Sequence, residues 1–133
     1  MKYLKLFNEA SSFVDNPIGR YLNDVLLELE DNEFTFCING NDDGVSTSII
    51  SGVKRTPGFT IKIFRNDNYT YNDIKYPVQH AISYLKERGF KLDKLSCPFM
   101  VGSSPRRFVD FPYLNDHPTN VMSGFIDFYF TKE

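Results

Sequence analysis

A two-layer α+β fold follows from three features of this chain. Apolar residues recur at helical spacing in two stretches, they alternate at a period of two in several others, and short Asn-, Asp- and Gly-rich links join neighbouring alternating stretches. Strands joined by short links pair antiparallel, and two one-sided helices must bury their stripes on a shared layer. The expected architecture is a single antiparallel sheet of about five strands with two helices packed on one face. Its order is αβββαββ, in one domain over residues 1–133.

Each element has its own signal. Residues 1–14 form a short apolar-basic lead-in, a helical turn or an edge segment. Asn16 then offers an oxygen to free helix amides, and Pro17 suits a first helical position because its missing N–H costs nothing there. Ile18, Leu22, Val25 and Leu29 follow at steps of four, three and four, and Asp31-Asn32 ends the stripe. In "EFTFCIN" Phe34, Phe36 and Ile38 alternate with polar neighbours, "GNDDG" turns the chain, and "VSTSIIS" supplies a second strand. "FTIKIFR" gives a third, through Phe59, Ile61 and Ile63.

The second helix carries Val78, Ala81 or Ile82, and Leu85, and stops at Arg88-Gly89. It starts either at a distorted turn capped by Asn72 or at Tyr76-Pro77, since Pro77 five places after the cap would strike the Asp73 carbonyl. "FKLDKLSCPFMV" is read as a strand bent at Pro98. A closing strand points Met122, Ile126, Phe128 and Phe130 one way and Phe125, Asp127 and Tyr129 the other.

Composition narrows the function. With 13 Phe, 8 Tyr and 24% charged residues the chain has the material for a packed core. Its net charge of −2 disfavours a role in coating nucleic acid. No apolar run approaches the roughly 20 residues of a membrane span, and Lys5, Asn8 and Glu9 interrupt any export signal, so the expected setting is the cytoplasm. Cys37 and Cys97 form no metal-binding pair, and neither a cofactor nor a metal is expected.

Candidate chemistries fail one by one. Asn39 to Gly44 resembles a calcium loop only in part, because its first position is Asn and its twelfth is Ile50 instead of a bidentate Glu. His117-Pro118-Thr119 has the H-x-T spacing of phosphodiester chemistry, but His80 is followed by Ala81-Ile82 and supplies no second motif. Glu28, Glu30, Asp31 and Glu33 cluster at a helix end, an ordinary surface placement. Gly102-Ser103-Ser104 lacks the closing glycine of a nucleophile elbow. The αβββα order of residues 16–88 invites comparison with double-stranded-RNA-binding domains, yet Asn72-Asp73-Ile74-Lys75 stands where those carry a lysine cluster.

Residues 101–120, "VGSSPRRFVDFPYLNDHPTN", remain as the candidate site. Arg106 and Arg107 can fork onto phosphate or carboxylate, and Phe108, Phe111, Tyr113 and His117 supply the aromatic composition of an interface anchor. A plain connection, its arginines meeting Asp110 or Asp116, comes first among the readings. Partner contact is second and small-anion binding third. The outward face of the closing strand, with Phe125 and Tyr129, is a further association surface unless the lead-in covers it.

"MKYLKLFNE", "LNDVLLELEDNEF" and "YNDIKYPVQHAISYLKERGFKLD" resemble small uncharacterised proteins encoded by tailed bacteriophages. Asn32 stands where those usually have glycine, and Pro77 interrupts a helix that is smoother in them. The resemblance implies a phage origin and an α+β fold, and carries no activity. The expected function is therefore non-catalytic: binding of a protein partner or self-association, as a minor virion component or a host-directed factor in the host cytoplasm. The runner-up is a binder of a small phosphorylated ligand, such as a nucleotide signal, through residues 101–120.

Overall fold

The computed structural model describes residues 12–13, 16–41, 58–98 and 107–133. The strand expected from "VSTSIIS", the "DDG" part of its turn, and Arg106 lie outside the described residues.

Chain order begins with β1 (Ser12–Phe13), α1 (Pro17–Leu26), a 3₁₀ segment (Leu27–Asn32) and β2 (Thr35–Asn41). β3 (Gly58–Tyr69), a short 3₁₀ turn (Tyr71–Asp73), α2 (Lys75–Glu87) and β4 (Phe90–Cys97) follow. β5 (Arg107–Val109), α3 (Phe111–Asp116) and β6 (Met122–Lys132) complete it. The strands form one sheet in the order β1-β2-β3-β6-β4-β5. Every pairing is antiparallel except that of the two-residue β1, which runs parallel to β2 at the edge. The α+β class and the antiparallel sheet agree with the sequence. The lead-in supplies an edge segment.

Cross-strand register explains why one face is core. Phe36 lies opposite Ile63, which lies opposite Ile126; Ile38, Ile61, Phe128 and Leu95 form the next row, and Phe59, Phe130 and Leu92 a third. Leu22 and Leu26 of α1 and Val78, Ala81 and Leu85 of α2 join this single buried cluster. Both helices therefore cover the same face.

Asn16 caps α1 as expected, accepting a 2.7 Å hydrogen bond from the Gly19 amide. The regular α-helix stops at Leu26, earlier than the stripe suggests, and the chain tightens into 3₁₀ geometry to Asn32. That change of winding keeps Leu29 at 1% exposure, and Glu33, in the left-handed region at φ 67°, turns the chain into β2. At the second helix, Thr70 and Asp73 form a capping box around the 3₁₀ turn, and α2 begins only at Lys75. Pro77 thus falls in the first turn of α2, where its missing N–H costs no intrahelical bond.

Gly40, at φ 135°, lies opposite Phe59, and a Cβ there would fall onto the Gly58 carbonyl. Between Arg65 and Tyr69 the pairing slips, four residue steps on β3 facing two on β6. The Tyr69 hydroxyl secures the slip by donating to the Gly124 carbonyl at 2.9 Å.

Candidate functional site

Residues 107–120, the described part of the 101–120 stretch, carry secondary structure that a plain connection would lack. Arg107 opens β5, paired with Cys97 of β4, and residues 111–116 wind into α3. The Asp110 carboxylate caps α3, accepting from the Tyr113 amide at 2.8 Å. Leu114 is fully buried in the main core, and the Phe111 ring meets Tyr71 edge-on at 6.0 Å. The Asn72 amide donates to the Pro118 carbonyl, tying the segment to the start of α2.

The predicted site residues divide accordingly. Phe111 and Tyr113 pack against the core. Tyr113 stacks on His117 with centroids 4.2 Å apart, and His117 Nδ1 lies 2.9 Å from the Tyr113 carbonyl. A carbonyl only accepts, so Nδ1 carries the proton in that contact. These three fasten α3. Phe108 is different: it is 69% exposed and belongs to the other side of the sheet.

That outer face can be read from the register. Across β2, β3, β6, β4 and β5, one row runs Cys37, Lys62, Asp127, Ser96, Phe108. Beside it lie Asn39, Thr60, Tyr129 and Lys94 on one flank and Thr35, Phe64 and Phe125 on the other. Phe64 is 38% exposed. The lysines lie over rings: Lys62 Nζ is 4.5 Å from the Phe125 centroid, and Lys94 Nζ is 5.3 Å from Tyr129 and 5.4 Å from Phe108. Asp127 is covered to 5% exposure, and one of its oxygens accepts from the Tyr129 hydroxyl at 3.3 Å.

The two histidines keep separate surroundings. His80 Nε2 lies 3.2 Å from the Tyr21 hydroxyl, and Tyr21 stacks on Tyr84 at 3.9 Å where α1 meets α2. A cleft of about 350 Å³ is lined by Asp31, Asn32, Glu33, Arg65 and Asp73. Three carboxylates against one guanidinium repel an anionic ligand there, and Asp73 is already engaged with the Thr70 amide at 2.9 Å. Arg65 lies over the Phe34 ring at 5.0 Å. Among the described residues no group of three or more His, Cys, Asp or Glu side chains is placed to hold a metal. No helix among them is long and apolar enough to cross a membrane.

Lys62 and Phe64 were not singled out from sequence. The signal for Lys62 was available in the strand alternation, since it sits between Ile61 and Ile63, which face the core. Comparison with protein-family models, curated proteins and solved structures finds no match.

Proposed function

We propose that this protein is a non-catalytic factor of tailed-phage type that acts by binding another macromolecule through the outer face of its sheet. The reading covers a minor virion component or a factor directed at the host cytoplasm, with a protein or a second copy as partner. The observation that carries it is Phe108, a large aromatic side chain 69% exposed at the end of a sheet row, on the same face as exposed Phe64. Aromatic side chains beside cations are the composition of interface anchors.

A photo-crosslinking amino acid in place of Phe108 tests it during expression in a host cell. A discrete crosslinked species is expected, absent when the crosslinker replaces Glu87 on α2 and weakened by Phe64→Ser. Equal labelling from both positions, or none from either, rejects the reading. The runner-up, a small phosphorylated ligand held by Arg106 and Arg107, makes the opposite forecast. A nucleotide panel would then raise the melting temperature, and an Arg106→Ala/Arg107→Ala variant would lose that gain. No such shift is expected.

A further inference from the structure

We infer that the partner segment received by the outer sheet face is an acidic, extended stretch of protein, with carboxylates meeting Lys62 and Lys94. The inference rests on the preceding reading of that face and adds the chemistry of what occupies it.

The first argument is charge. The whole chain carries −2, yet among the described residues the paired positions of the outer face hold three lysines, Lys62, Lys91 and Lys94, and one carboxylate, and that carboxylate, Asp127, is covered. Among the described residues three other acidic side chains, Asp31, Glu33 and Asp73, line the cleft. Among the described residues neither Lys62 nor Lys94 is held in an ion pair; each is steadied by an aromatic ring. An ammonium over a ring keeps donors free for a carboxylate while losing less side-chain freedom when it binds.

The second argument separates protein from nucleic acid. A single-stranded nucleic acid binds such a face by stacking bases on open aromatic rings. Here ammonium groups already lie over the rings of Phe125, Tyr129 and Phe108, so stacking must displace them, whereas carboxylates reach the same ammoniums without disturbing the rings. Lys62 and Lys94 stand two strands apart, roughly 10 Å at ordinary strand spacing, a span an extended acidic segment crosses in a few residues.

Fluorescence anisotropy with a labelled alternating Glu–Ser decapeptide tests the inference, beside an oligothymidylate and a Lys–Ser decapeptide. The acidic peptide should bind, weaken as sodium chloride rises from about 50 to 500 mM, and lose about tenfold in affinity in a Lys62→Gln/Lys94→Gln variant. The variant should keep its circular dichroism spectrum, since both side chains are exposed. In cells, Lys62→Glu/Lys94→Glu should abolish the crosslink from position 108. Tighter, lysine-dependent binding of the oligothymidylate overturns the inference in favour of nucleic acid. Acidic-peptide binding that ignores both lysines also overturns it. If the crosslink from position 108 survives charge reversal, the surface stands and its acidic partner does not.

Discussion

The two faces of the sheet share the same strands, residue by residue, and have opposite fates. On β3 the inward residues Phe59, Ile61 and Ile63 are each exposed by 2% or less, while Phe64, one step beyond Ile63, is 38% exposed. On β6, Phe128 fills the core and Tyr129 turns its hydroxyl to Asp127. Aromatic content therefore does not distinguish core from surface in this protein. Coverage does: α1 and α2 sit on one face, and lysines spread over the rings of the other. The comparison also separates stability from binding, because removing a ring should unfold the protein on one side and only blunt its contacts on the other.

The contrast is tested most severely at Phe128. Phe128→Ala should cost about 3–5 kcal/mol in urea unfolding, through lost burial and the cavity left in the central row. Next comes a position where the backbone decides irrespective of face. Gly40→Ala should cost about 2–3 kcal/mol, since φ 135° and the nearby Gly58 carbonyl both refuse a Cβ.

The helix-covered side also holds Tyr71, whose hydroxyl is buried without a hydrogen bond of ordinary geometry. Burial pushes its pKa up to about 12, against a weaker opposing pull from Gln79 nearby. An unfolded tyrosine ionises near pH 10, so the stability gained from keeping this phenol neutral is complete below pH 10. It falls away as the pH rises towards 12, by on the order of 2 kcal/mol. Tyr71→Phe should remove that alkaline loss in pH-dependent unfolding, and at neutral pH should match or slightly exceed the parent in stability.

Asn16→Ala, which leaves the first turn of the covering helix uncapped, should cost about 1 kcal/mol in the same unfolding assay. The smallest effect belongs to the outer face. Phe108→Ser should shift stability by no more than about 0.5 kcal/mol, and a larger loss would mean that Phe108 is part of the core after all.

Much of this was legible in the chain because alternation and capping are local. Phe36 and Ile38, Ile61 and Ile63, and Ile126, Phe128 and Phe130 announced their shared face, and Asn16-Pro17 announced a helix start. Less legible was anything that tertiary packing decides. The end of α1 at Leu26 reflects a tightening of the winding that keeps Leu29 inside, and no periodicity foretells it. β5 and α3 are three and six residues long, too short to show a period, and Pro112 made their stretch look irregular. For the candidate site, sequence grouped Phe108, which is exposed, with Phe111, Tyr113 and His117, which fasten α3. It passed over Lys62 because lysine on a strand reads as solvation until its neighbours across the sheet are known.

The position of β6 has a consequence in time as well as in space. It lies between β3 and β4, and its pairing partners on β3 stand more than fifty residues earlier in the chain. A nascent chain that has not yet reached residue 122 can close the β2–β3 and β4–β5 pairs but cannot join them. Assembly must wait for that distant closure, which places the protein among the slower-folding topologies. Until then the apolar edges of the two half-sheets stand open, a window in which a chaperone could hold them.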